Sequence, residues 1–518
     1  MSAKFAHLPG DHSGSGRSRN PIWAPFVTVL LVLPASAWLW GYTVDDALIT
    51  ARVAAHLASG LGPRFNPHGP PADAVTPLGY AQLLSLFGQG DVLRTFAAAK
   101  AFGLSAWLGA AALLGQLVAA VGQRALRFTP LAIVALSAPL AAWAVSGMET
   151  GFVTLLTTLG LCGGLGGALS LGVAAALRPE LLPFAWLLVA GDVFVARSGF
   201  QRAAPVAGDV FVARPGFQRA APVAGDVFVA RPGFQRAALL AACAVLPTLL
   251  VAALRLYSFG RAVPLSFYAK PSDFAHGLRY ALGAFAFTGL PWLLLASPRE
   301  FLRLPRAARV LFAALFAHGA ALILCGGDWM SLYRLAVPVL PATALAAAYL
   351  AEHARLAFAV PRFALALAST LLLAFGLGPS ARRVGDDRAS LIAEARPVLA
   401  HDARIATLDV GWVGAASPAD VIDLAGVTDP QVALFPGGHT SKRIPGAWLF
   451  ARQPTAVVLL LARGAKLETP FENSFFARAV EQRVATLIAS EFRVRTRLAL
   501  GEQVYVVLER DEPRPPPP

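Results

Sequence analysis

The sequence predicts a polytopic α-helical membrane protein of about eleven spans, ending in a small α/β domain outside the bilayer. Three observations carry this. Apolar residues make up 56% of the 518-residue chain and charged residues only 14%, against about 25% charged in soluble domains. Apolar runs of roughly 18 residues, enough to cross about 30 Å of hydrocarbon, recur down to about residue 378. From about Ser380 onward charge rises, and short apolar or alternating runs replace the long ones.

Spans are expected near 23–42, 96–121, 128–146, 149–166, 167–178, 181–195, 237–256, 279–297, 308–325, 335–352 and 361–378. Leu78 to Phe87 is apolar but too short to cross, so it reads as an interfacial helix inside a long external loop, 43–95. Residues 1–22 form a polar cytoplasmic tail carrying Arg17 and Arg19, and the first span reads as a signal anchor. With the N-terminus cytoplasmic, Arg124, Arg127, Arg299, Arg303, Arg306, Arg309, Arg355 and Arg362 also face the cytoplasm, as the positive-inside rule requires. An odd number of spans leaves the C-terminal region outside. The formal charge of +14 therefore reflects loop arginines and gives no reason to expect a nucleic-acid partner. Cys162, Cys243 and Cys325 lie in apolar segments without CxxC spacing, so neither a disulfide framework nor a cysteine metal site is indicated.

A 17-residue unit, Val189 to Pro205, recurs almost unchanged from Val206 and from Val223. No common solenoid has this period. The topology places 189–239 in a cytoplasmic loop with Arg197, Arg202, Arg214, Arg219, Arg231 and Arg236, a tolerated insertion or, alternatively, a contact for anionic lipid. The α/β domain is expected over 380–511. Arg404 to Asp409 and Ala456 to Ala462 read as buried strands, Glu502 to Glu509 as a half-exposed strand, and Phe475 to Glu491 as a helix. Residues 512–518 form an extended Pro-rich tail.

Asp45 and Asp46 follow directly on the first apolar stretch, so a carboxylate pair emerges at the water boundary. Such residues are costly beside hydrocarbon and mark functional sites by default. The alternative is a capping box, Thr43-x-x-Asp46, with both acids favouring the helix dipole. Further external turns carry polar residues: Ser146-Gly147-Met148-Glu149, Leu177-Arg178-Pro179-Glu180, Pro264 to Lys270, and Gly326-Gly327-Asp328-Trp329 through Arg334. Downstream lie Ile422-Asp423-Leu424-Ala425-Gly426-Val427-Thr428-Asp429-Pro430 and Gly438-His439.

In order and spacing, these turns resemble the GT-C membrane glycosyltransferases, particularly bacterial members that include the mycobacterial terminal arabinofuranosyltransferases. The resemblance implies a bacterial inner-membrane, multi-pass enzyme. It would move a sugar from a polyprenyl-phosphate donor to a cell-envelope glycan or glycolipid on the external face, with inversion. The family's Glu-Gly-Tyr-Thr-x-Pro-Leu-Trp stretch is replaced here by Ala72-Asp73-Ala74-Val75-Thr76-Pro77-Leu78-Gly79, so the acceptor is not implied.

Such chemistry needs a base for the acceptor hydroxyl, and Asp45, with Asp46 beside it, supplies a carboxylate at the boundary. Arg178, Lys270 and Arg334 are expected to hold the lipid phosphate. Glu149, Glu180 and Asp328 are expected to bind sugar hydroxyls or pair with the arginines. Tyr268 is grouped with the substrate residues, and Arg52, two turns along the helix, would orient the aspartates or touch phosphate. A divalent cation on Asp45, Asp46 or Asp328 is left open. His439 reads as a loop residue. Other readings are transfer to lipid A or protein within the same superfamily, and transport of a lipid-linked sugar.

Overall fold

A computed structural model describes residues 23–123, 138–197, 232–288, 298–353, 378–465 and 475–511, with isolated positions between 364 and 376. The N-terminal tail, most of the repeated unit and the Pro-rich tail lie outside the described residues.

The body is a helical bundle. Its helices include α1 (Ala24–Trp38), α2 (Asp45–Ala58), α3 (Tyr80–Ser85), α4 (Val92–Val121), α5 (Thr150–Gly160), α6 (Gly164–Leu177), α7 (Leu182–Arg197), α8 (Pro232–Phe259), α9 (Leu265–Ala269), α10 (Phe274–Thr288), α11 (Arg306–Leu324) and α12 (Leu340–His353). Among the described residues three helices are long and apolar enough to cross a membrane: Val92–Val121, Gln235–Phe259 and Arg306–Leu324. This differs from the expected eleven. Ala24–Trp38, Thr150–Gly160 and Gly164–Leu177 are apolar but shorter. At 1.5 Å per residue the eleven residues of α5 span only about 16 Å. The expected spans 149–166 and 167–178 appear as Thr150–Gly160 and Gly164–Leu177, divided at Gly163 and Gly164, which both take positive φ, and not at 166/167. The spans expected at 128–146, 279–297 and 361–378 fall partly or wholly outside the described residues. Leu78 to Phe87 holds the short helix α3, whose Tyr80, Ala81 and Leu84 are buried.

Helix α13 (Gly378–Leu399) leads into the C-terminal domain, which we term the cap. Its five-stranded sheet comprises β1 (Arg404–Thr407), β2 (Asp420–Asp423), β3 (Ala456–Leu460), β4 (Phe492–Leu500) and β5 (Gln503–Arg510), in the order β2-β1-β3-β5-β4. β1 runs parallel to β2 and β3, with Ile405 opposite Val421 and Ala406 opposite Val457. The β4–β5 hairpin closes the sheet antiparallel on β3. The cap's helices include α14 (Val410–Ala416) and α15 (Ala479–Ile488). The expected strands all form. The helix expected from Phe475 begins at Ala479, because Leu461 pairs with Phe476 and the Ala477 N–H bonds to Leu460 O, extending the sheet edge first.

One face of the sheet packs on α15 through Ala406, Val457, Val484 and Ile488. The other face shares its core with the loop that follows α1: Leu48, Ile49, Val53, Phe65 and Tyr80 pack with Leu391, Ile405, Trp412 and Val507. The cap is therefore not separate from the body. It is built on α2.

Candidate active site

Helix α2 begins at Asp45 after an extended Val44, and no side chain caps it. The capping-box alternative is not realised: the Thr43 hydroxyl instead donates to Ser146 O at 3.0 Å. Successive helical residues point about 100° apart, so the two carboxylates diverge.

Asp45 turns into the cap. It accepts from the Arg388 guanidinium at 2.6 Å and from the Gly411 and Trp412 N–H groups at 2.7 and 2.9 Å. Gly411 must be glycine for this approach, since a Cβ there would lie 2.2 Å from Asp45 O. Burial pushes Asp45 up to about 6; Arg388 pulls down, and Asp409 and Asp46 push further up.

Asp46 turns into a cleft of about 240 Å³. Lys270 Nζ lies 3.9 Å and Arg334 Nη1 3.8 Å from its Oδ2. Both distances exceed a hydrogen bond, so the carboxylate stays free to accept one from a substrate hydroxyl. Arg334 also sits 2.7 Å from Asp328. Burial alone would raise Asp328, but Arg334, Lys270 and Arg178 outweigh it and hold that carboxyl below the usual range. Deeper in the cleft, Arg178 meets Glu149 at 2.5 Å and Glu180 at 3.4 Å.

The walls come from four segments. Ala74 to Pro77 form one side and are held by α8, where Arg255 pairs with Asp73 at 2.9 Å and donates to the Val75 and Thr76 carbonyls. Pro264, Ser266 and Phe267 form another, with Ser266 Oγ 2.8 Å from Thr76 Oγ1. Above, Val427 projects from a tight turn in which Asp423 accepts from the N–H groups of Ala425, Gly426 and Thr428 at 2.6–3.0 Å. The fourth segment is the 326–334 loop. Gly326 and Gly327 have positive φ, and so do Leu332 (62°) and Tyr333 (49°). Non-glycine residues in that region cost about 1–3 kcal/mol each, a strain found mainly at functional sites.

The expected site residues thus separate. Asp46, Glu149, Arg178, Glu180, Lys270, Asp328 and Arg334 come together in one cleft. Three do not. Asp45 is bound up by the cap and is not placed to act as a base. Arg52 is buried beneath α14, where it donates to the carbonyls of Phe65 (2.9 Å), Ser417 (2.9 Å), Ala419 (2.7 Å) and Gly414; it fastens the cap and touches neither aspartate nor cleft. Tyr268 lies outside the lining, under the Arg261 guanidinium at 5.2 Å. The residues present also do not fit a divalent cation. The Arg334 guanidinium stands between Asp46 and Asp328, where a shared ion would have to sit, and the third acid, Asp45, faces away.

A family model described as a domain of unknown function (DUF8728) matches residues 386–507. That match falls within the cap. No curated protein and no solved structure matched the chain.

Two residues at the cleft mouth are not among the expected site residues: the sequence places Trp329 only within its turn and presents His439 as a loop residue. Trp329 stands beside the cleft residue Asp328, and the His439 ring lies 5.5 Å from its indole. Burial, then Lys270, hold His439 down at about 4. The strained double-glycine turn was a usable signal for Trp329. Nothing local marks His439, because its partner lies 110 residues earlier in the chain.

Proposed function

We propose that this chain is an inverting membrane glycosyltransferase of the GT-C type, with the cap on the external face. It moves a sugar from a polyprenyl-phosphate donor to a hydroxyl of an envelope glycan or glycolipid. One observation carries the reading: the Asp46 carboxylate is ion-paired with Lys270 and Arg334 within 4 Å but at hydrogen-bond distance from neither, in a cleft between the helical body and the cap.

Asp46 accepts the proton of the acceptor hydroxyl as that oxygen bonds to the anomeric carbon. The bond from that carbon to the phosphate oxygen breaks on the opposite face, which inverts the configuration. Polyprenyl phosphate leaves as an anion and needs no strong acid. Lys270 and Arg334 receive the developing charge, while Arg178, already paired with Glu149, fixes the floor of the site. The polar residues gather at one end of the bundle, which favours group transfer over carriage across the bilayer.

Asp46→Asn keeps the volume and removes the base, so transfer should fall by about 10²–10⁴-fold with unchanged melting. Linkage analysis of the cell envelope, in a deletion strain complemented with this variant, should show the missing sugar residue unrestored. Full restoration by Asp46→Asn would end the assignment.

A further inference from the structure

Trp329 holds its indole 56% exposed at the junction of body and cap. Its neighbours there are polar and come from both sides. His439 of the cap lies against the ring with the planes 35° apart, and the Lys270 ammonium lies 5.6 Å from the ring centre. A tryptophan that anchors a helix at a bilayer interface would face headgroups, not a cap histidine and a cleft lysine. Packing does not explain it either, since Trp329 belongs to none of the hydrophobic clusters among the described residues. The position is imposed by the 326–334 loop, whose ends both carry left-handed backbone.

We infer that Trp329, His439 and Lys270 form the acceptor subsite, where a neutral sugar ring stacks its C–H face on the indole and offers its hydroxyls to His439 and Lys270. This deepens the transferase reading and rests on it. The face of an indole is electron-rich and the C–H groups of a sugar are weakly positive, so the two attract beyond the area they bury. The indole is also rigid, with only two side-chain torsions to fix. His439 is neutral at pH 7 and can donate from one ring nitrogen and accept at the other, which suits a hydroxyl. Lys270 links the subsite to the chemistry, because the same ammonium lies 3.9 Å from Asp46. One of its three residues, His439, belongs to the cap, so the subsite is complete only while the cap is docked.

The test is saturation-transfer NMR on the full-length protein in detergent, with methyl mannopyranoside and methyl arabinofuranoside as probes. At least one probe should receive saturation on one ring face. Trp329→Ala should weaken that binding roughly fivefold to tenfold, and Trp329→Phe should retain part of it. Equal melting temperatures would show that the variants are folded, and Trp329→Phe serves should the alanine variant not fold. Binding unchanged in Trp329→Ala, or no saturation of either probe by the wild type, overturns the subsite. Stacking on Trp329 combined with full glycan restoration by Asp46→Asn would retire the transferase reading and leave the sugar site standing.

Discussion

Two polar neighbourhoods meet at helix α2 and are built in opposite ways. At the junction with the cap, polar groups find partners at hydrogen-bond distance: three for Asp45, four carbonyls for Arg52, and a reciprocal pair between Asn66 and the Val421 backbone at 2.9 and 2.8 Å. In the cleft, charges sit close together without that closure. Arg178 Nη2 and Glu149 Oε1 touch at 2.5 Å without hydrogen-bond geometry, as do Arg334 Nε and Asp328 Oδ2 at 2.7 Å. The lesson is one of roles: closed networks fasten α2 to the cap, and on the reading proposed above the open one is what a substrate would complete.

The comparison breaks most readily at Arg52. Arg52→Ala strips the donor from four buried carbonyls and should cost about 3–5 kcal/mol, a large share of a domain's stability. Size-exclusion profiles and melting in detergent should show lost or much weakened folded protein. A variant of normal stability that lost only transfer would move Arg52 to the cleft side. Lys270→Gln should do the reverse, leaving melting unchanged while transfer drops roughly tenfold to a hundredfold, mainly through a higher KM for donor.

Asp45→Asn sharpens the contrast with the smallest effect. An asparagine amide turns a donor toward the Gly411 N–H, costing about 1 kcal/mol at neutral pH, and most transfer should survive. The pH dependence carries a sign. With its folded pKa raised from 3.8 to about 6, native Asp45 holds a proton that the unfolded chain has released. Wild-type stability from this group therefore falls as pH rises from about 4 to 6. Asparagine does not titrate, so the penalty of Asp45→Asn should be greatest near pH 4 and shrink toward pH 7. Melting curves across that range check it; a penalty growing with pH would contradict the raised value.

Much of this could be read from the chain. The apolar character of Ala456 to Leu460 and the alternation before Glu509 located strands, and cleft residues as distant as Asp46 and Arg334 were found from their positions at the ends of apolar runs. Which of two adjacent aspartates faces the cleft was not legible, because it depends on how α14 docks against α2. The role of Arg52 was hidden for the same reason, as three of its acceptors lie in residues 414–419. Apolar run length also misplaced the boundary between the fourth and fifth expected spans, which falls at Gly163 and Gly164.

The core shared by α2 and the cap sets a timetable for making the protein. Arg52 and its acceptor Gly414 are 362 residues apart. At typical synthesis rates of about 5–20 residues per second, α2 waits roughly 20 to 70 s before its covering strands exist. Throughout that interval Leu48, Val53 and Phe65 lack the surface that buries them. Stalled nascent chains ending before residue 400 should therefore be cut readily within 45–80, and chains released at full length should resist. Equal resistance in both would mean that this segment finds shelter elsewhere while it waits.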